Sequence, residues 1–234
     1  MKQKDYVVID LEMTGLSPKT DKIIEIGAVR VRDGTVADTL ETFVNPKCPI
    51  PQRVTELTGI TDEMVKDAVE EDIAIEALLA FLGEDILIGQ NVTFDYRFLK
   101  QWAVNKKQVF ERSACDTLKI ARKLLPAEQP KNLEALCAYF QIERKRAHRA
   151  LDDALETAQI FEKLKEMTED EDIFQPKPLT YHAKRQTPAT PKQLERLREY
   201  CQRHQITDEI HWEILTRNEV SRMMDKYYSI YGRN

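Results

Sequence analysis

Short apolar runs, each closed by turn residues or by an acid, set the opening of the chain. YVVI at residues 6–9 ends in Asp10 and reads as a buried strand. TGLSP at residues 14–18 is turn chemistry. Residues 23–32 (IIEIGAVRVR) alternate in part and predict a second strand. Asp33-Gly34 is a good hairpin turn, and residues 35–44 return as a third. A loop spans 46–51. Helical spacing follows, with Thr61 as a candidate N-cap and an apolar face over 73–82. ILIG at 86–89 reads as one more buried strand. Helices are predicted over 94–102, 117–125, 132–140 and 147–167. Leu151, Ala154, Leu155, Ala158, Ile160, Phe161 and Leu164 give the last one an apolar stripe at 3.6-residue spacing.

The pattern then changes. Residues 168–191 hold an acidic cluster followed by Pro176, Pro178, Pro188 and Pro191, which reads as a linker. Two more helices are predicted, over 192–204 and 218–228, with room for a shorter one between. Leu194, Leu197, Tyr200 and Cys201 form a stripe on the first; Val220, Met223, Met224 and Tyr227 form one on the second. The chain is thus expected to divide into a body at 1–168, a linker at 169–190 and a small helical module at 191–234.

The composition, 42% hydrophobic and 32% charged over 234 residues, is that of a globular protein. No apolar run approaches the roughly 20 residues of a membrane span. MKQKDYVVID moves straight into a strand, without the apolar core of a signal peptide. Cys48, Cys115, Cys137 and Cys201 lie far apart without metal-ligand spacing and read as reduced thiols, which suits the cytoplasm. The net charge of −5 is uneven: residues 175–234 hold eleven Lys and Arg against seven Asp and Glu. A basic tail on an acidic body fits nucleic acid held at the edges, and ordinary surface variation fits it equally.

Candidate chemistry lies in three phrases. Asp10 and Glu12 sit two apart at a strand end, so they share a face. Asp95 stands where IGQNVTFDYRFL enters a helix; as an isolated residue it reads as an acid favoured by the helix dipole. Asn91 and Phe94 beside it read as a loop cap and a core aromatic. His148 and Asp153 are five apart, which on a regular helix puts them on different faces. They converge only if His148 precedes the helix, and spacing leaves Asp152 open as the alternative acid. A cluster of carboxylates with one His and no Cys set points to a hard cation, Mg²⁺ or Mn²⁺, and from there to phosphoryl chemistry.

Taken in order, D-x-E (Asp10, Glu12), N-x-x-F-D (Asn91, Phe94, Asp95) and H-x-x-x-x-D (His148, Asp153) resemble the DEDDh 3′-to-5′ exonuclease family over roughly residues 4–168. VTELTGIT at 54–61 is similar to a phrase of its proofreading branch, the epsilon-type subunit of DNA polymerase III. The resemblance implies an α/β, RNase H-like exonuclease fold, with a mixed central sheet flanked by helices. Here a small C-terminal helical segment is added. It implies two divalent ions, Mg²⁺ or Mn²⁺, held by Asp10, Glu12, Asp95 and Asp153, with His148 as general base. It implies that Met13, Thr14, Gly15 and Leu16 meet the terminal nucleotide, with Asn91 and Phe94 helping to form its pocket. DLEMTGL departs from the proofreading pattern, which has Thr where Met13 stands, and is similar to oligoribonuclease.

The expected activity is removal of nucleoside 5′-monophosphates from single-stranded or frayed DNA 3′ ends. An exoribonuclease of short RNA or RNA 3′ ends is the alternative within enzymes. A non-catalytic nucleic-acid-binding or polymerase-accessory protein is the alternative outside them. The partners implied are single-stranded DNA or RNA 3′ ends and a DNA polymerase or other repair protein, with no membrane. Lys192, Arg196, Arg198, Arg203, Arg217, Arg222 and Lys226 are candidate phosphate contacts on the tail, although acids are interleaved among them.

Overall fold

The computed structural model describes residues 3–208 and 210–233. Its organising element is strand β1 (Tyr6–Met13), whose side chains alternate between two cores. Val7, Ile9, Leu11 and Met13 enter one hydrophobic cluster, and Tyr6 and Val8 enter another. The same period puts Asp10 and Glu12 on the second face, at the end where the apolar side chains stop.

Strands β2 (Ile23–Arg32) and β3 (Thr35–Asn45) follow as antiparallel neighbours. They are joined at Asp33 and Gly34, both with positive φ (48° and 76°), as a tight hairpin requires. Two short helices, α1 (Gln52–Thr58) and α2 (Asp62–Val65), then lead to the two-residue strand β4 (Val69–Glu70) and helix α3 (Glu71–Leu82). Thr61 is the N-cap residue of α2, with extended backbone but no side-chain capping bond. Strand β5 (Leu87–Gly89) runs parallel to β1, and β6 (Ser113–Asp116) parallel to β5, with helix α4 (Thr93–Asn105) between them. Helices α5 (Thr117–Leu124), α6 (Leu133–Phe140) and α7 (Ala150–Glu166) complete the body. A last strand, β7 (Lys177–Pro178), pairs with β6, and the sheet order is β4-β3-β2-β1-β5-β6-β7. The sheet is mixed and flanked by helices on both faces, the expected α/β architecture.

Residues of α3 and α4, among them Ile75, Leu78, Tyr96 and Leu99, cover one face. Residues of α5, α6 and α7, among them Ile120, Leu136, Ile160 and Phe161, cover the other. The long helix of the body starts at Ala150, three residues later than the apolar spacing predicts. His148 has φ 59° and stands outside it.

Much of the stretch expected as a linker is fixed to the body. Residues Glu171–Phe174 form a 3₁₀ turn that buries Phe174 completely, and Leu179 joins the core beneath α4. Beyond it, α8 (Pro191–Arg203) and α9 (Arg217–Tyr231) pack against each other through Leu197, Tyr200, Cys201, Val220, Met224 and Tyr227. Each opens with a capping box, Thr190 with Gln193 and Thr216 with Glu219. The connection between them carries no helix among the described residues. All four cysteines are free thiols. No described helix is long and apolar enough to cross a membrane.

Candidate active site

One strand and two helices deliver the candidate carboxylates to one end of the sheet. β1 supplies Asp10 and Glu12 from one face. β5 is only three residues long and pairs with Val7 and Val8, so β1 projects past it. The N–H of Leu11 on that projecting edge donates to Asp95 Oδ1 at 3.0 Å. Asp95, in the first turn of α4, is thereby tied to the strand between Asp10 and Glu12. Its buried carboxylate is more than a helix-end charge.

α7 brings the remaining pair. Ligand atoms of Glu12, His148 and Asp153 all lie within 4.8 Å of one another. The convergence comes from placing His148 ahead of the helix and Asp153 in its first turn. Asp152 points elsewhere and pairs with Arg146 at 2.6 Å. The choice between the two acids, which spacing leaves open, is made by the helix phase.

Crowding shows in the protonation equilibria. Burial first, and then Asp95, Glu12, Asp153 and Glu25, hold the Asp10 carboxyl well above the usual carboxylate range. Burial together with Asp153, Glu25 and Asp95 pushes Glu12 up to about 8, with Arg149 opposing. Burial pushes Asp95 up to about 7, against the hydrogen bond it accepts from Leu11. Asp153 is also raised by burial, with Arg144 opposing. Such repulsion is relieved when a cation sits among the oxygens. The donor set fits a hard divalent ion: carboxylates with one imidazole and no thiolate.

Four residues outside the motifs hold this arrangement. Glu25, fully buried on β2 directly opposite Glu12, accepts the N–H of Ala150 at 2.9 Å and pairs with Arg149 at 2.7 Å. Arg144 bridges Asp153 and Glu156, at 2.7 Å to each. Gly27, opposite Asp10, lies so close to α7 that a Cβ there would be 2.2 Å from the Ala150 carbonyl carbon. An acid inside the apolar run IIEIGAV is a signal for Glu25. Nothing distinguishes Arg144 and Arg149 within their basic stretch.

The expected nucleotide-facing residues divide. Leu16 is 74% exposed at the tip of its turn. Thr14 is buried and closes the turn, accepting the Lys22 N–H at its Oγ1 and donating its own N–H to the Lys22 carbonyl. Met13 packs in the core, and Gly15 sits tightly against the Asp21 carboxylate. Asn91 is exposed with φ 60°, donating its N–H to Asp116. Phe94 is half-buried, edge-on to Phe98.

Residues 7–161 match the exonuclease (RNase_T) family model, two thirds of the chain. The chain belongs to the exonuclease family. Its fold is the RNase H-like one expected. The "DNA polymerase III PolC-type" protein of Clostridium perfringens is 39% identical over 176 residues, 75% of this chain and 12% of its own length. That of Bacillus subtilis is 39% identical over 167 residues, 70% and 12%. This exonuclease chain therefore spans about 12% of the length of these relatives. Among solved structures, Escherichia coli exonuclease I with a dA16 oligonucleotide superposes with a TM-score of 0.62 at 20% identity, covering 74% of this chain and 42% of its own. Exonuclease X with 5′-overhanging duplex DNA gives 0.57 at 25%, covering 73% and 99%. The nuclease domain of 3′hExo, a DEDDh family member bound to rAMP, gives 0.60 at 21%, covering 70% and 92%.

Proposed function

We propose that this exonuclease removes nucleoside 5′-monophosphates one at a time from single-stranded or frayed DNA 3′ ends. The observation that carries the reading is the convergence of Glu12, His148 and Asp153 beside Asp10 and Asp95, in a crowded acidic cluster whose repulsion a bound cation would relieve.

Asp10, Glu12, Asp95 and Asp153 would hold Mg²⁺ or Mn²⁺. When bound, a pair of such ions neutralises the carboxylates, makes water acidic enough to be deprotonated near neutral pH and offsets charge on the departing oxygen. The chain's own residues do the rest. An imidazole nitrogen of His148 takes the proton of the attacking water; imidazole is suited to this near pH 7. The water oxygen bonds to phosphorus as the bond to the 3′-oxygen breaks. The departing strand keeps a 3′-hydroxyl, and the product carries the 5′-phosphate. Glu25 and Arg149 hold the start of α7 on the sheet, which keeps His148 and Asp153 facing Glu12. Leu16 would pack on the terminal nucleotide, with Thr14 and Gly15 shaping the turn beneath it. Asn91 and Phe94 would border the pocket.

DNA is favoured over RNA by the polymerase relatives and by the DNA-bound neighbours. Two observations point the other way: the 3′hExo neighbour is bound to rAMP, and DLEMTGL carries Met13, whose side chain packs in the hydrophobic core. A cytoplasmic setting and a polymerase or repair partner complete the proposal.

The test uses 5′-labelled DNA and RNA of matched sequence, in long and dinucleotide lengths, with Mg²⁺, Mn²⁺ or EDTA. A metal-dependent ladder that shortens from the 3′ end of DNA is expected. Preferential degradation of RNA dinucleotides would move the assignment to the exoribonuclease reading. Absence of cleavage with either metal would overturn the mechanism.

A further inference from the structure

The segment that follows the family-matched residues does more than lead to the last two helices. It leaves β7 at Leu179, whose N–H donates to the Arg112 carbonyl at 2.8 Å. It then runs along α4, where Gln101 Nε2 donates to the Lys184 carbonyl (2.9 Å) and the Gln186 N–H to Asn105 Oδ1 (2.8 Å). Between these anchors Tyr181 is laid half-buried against the core, with the Arg97 guanidinium over its ring at 5.3 Å.

Tyr181 and Arg97 form one wall of an open groove of about 440 Å³, and the Leu16 turn forms the other. Lys19 and Arg53 add two more cations at the groove, against the single acid Asp21. That acid is engaged by the Ser17 N–H at 2.7 Å. Both walls grow directly from the catalytic elements. Leu16 is four residues past Glu12 on the chain, and Arg97 is two past Asp95 on α4. The groove is thus an aromatic face and three cations next to where a strand's last nucleotide would lie. That combination suits an unpaired nucleic acid, whose bases stack on aromatic rings while its phosphates meet Arg and Lys.

We propose that this groove is the track for the single strand on the 5′ side of the scissile linkage. Tyr181 is its stacking platform, and Arg97 and Arg53 are its phosphate contacts. The inference rests on the exonuclease reading and adds to it a substrate subsite whose aromatic wall, Tyr181, lies outside the matched residues.

The experiment compares two substrates in the full-length chain with Mn²⁺. One is a single-stranded DNA 20-mer; the other is the p-nitrophenyl ester of thymidine 5′-monophosphate, which has no nucleotide on the 5′ side of the scissile phosphate to lie along Tyr181 and Arg53. Tyr181→Ala should lower kcat/KM on the 20-mer about tenfold through KM, while ester hydrolysis stays within about twofold. Tyr181→Phe, which keeps the ring, should restore the 20-mer rate. Arg53→Gln is an exposed change with little bearing on folding. It should raise KM on the 20-mer and reduce the salt slope of log KM by about 0.7. Equal losses on both substrates, or unchanged 20-mer kinetics in Tyr181→Ala and Arg53→Gln, would overturn the track. Wild-type chain inert on both substrates would instead overturn the exonuclease mechanism, and the track with it.

Discussion

Glu25 stands directly opposite Glu12 in the antiparallel register of β1 and β2, and the two carboxylates do different work. Glu12 faces His148 and Asp153, whereas Glu25 is used up on Arg149 and the N–H of Ala150. Breaking that buried contact leaves the Ala150 N–H without its partner and the Arg149 guanidinium with only the weaker contact to Glu41 at 3.4 Å. Glu25→Ala should therefore cost about 2–3 kcal/mol of stability. It should lower kcat more than it raises KM, since it loosens the placement of His148 without touching the substrate. Chemical denaturation and steady-state kinetics on the same variant check both parts.

Gly27 gives a sharper steric test. A methyl group there would overlap the backbone of Ala150 and Leu151, at 2.2–2.3 Å. These are backbone atoms, so the start of α7 must lift from the sheet. Gly27→Ala is expected to lose at least about 3 kcal/mol, read as a drop in the thermal midpoint, with activity falling in parallel.

Asp10→Asn removes a charge from the crowded cluster. Turnover should fall by at least about a thousandfold, through loss of cation binding. In EDTA, however, the variant should melt at a higher temperature than the wild type, because repulsion is relieved. An Asp10→Asn protein that keeps its activity would remove Asp10 from the site.

Glu12 and Asp95 predict an unusual pH dependence for the metal-free protein. The folded chain holds protons on these groups, up to about pH 8 and about pH 7, that the unfolded chain has already released. Their contribution to stability is whole at about pH 4 and is lost as pH rises through 7 and 8. In EDTA the melting temperature should fall between pH 5 and pH 8. Added Mn²⁺ should raise it more at pH 8 than at pH 5, because protons compete with the ion. Thermal scans across that range, with and without metal, check the sign.

The attachment of the tail can be tested by truncation. Ending the chain after Gln175 removes β7 and the buried Leu179, at a cost of about 2 kcal/mol or more. Ending it after Gln186 keeps both. The longer body should melt higher and hydrolyse the nucleoside ester at the full-length rate.

The parts of the fold that were legible in the sequence are those with a periodic signal. β1, β2 and β3 were visible as apolar runs around Asp33-Gly34, and α7 as a stripe. β4 and β7 are two residues long, and β6 (Ser113–Asp116) contains no β-branched residue, so none of the three leaves a pattern. The prolines of residues 168–191 read as a linker; that Phe174 and Leu179, single apolar residues among polar ones, pack into the core leaves no periodic signal in the sequence. The site phrases were readable because strand geometry alone places Asp10 beside Glu12. The phase of His148 against Asp153 was not, since it depends on a left-handed backbone at His148 that no spacing rule anticipates. Glu25, Arg144 and Arg149 were missed because their roles exist only once β2 and α7 are in contact.

The same two short strands close the sheet at both ends. β4 and β7 are its outermost members, each two residues long, and β7 is bracketed by Pro176 and ends in Pro178. A proline has no N–H to offer, so the β7 rim gives an incoming chain almost nothing to zip onto. The β4 rim guards less: it covers only Val44 and Asn45 of β3, and among the described residues the rest of that long strand's outer edge has no neighbouring strand, so any further strand would be recruited there.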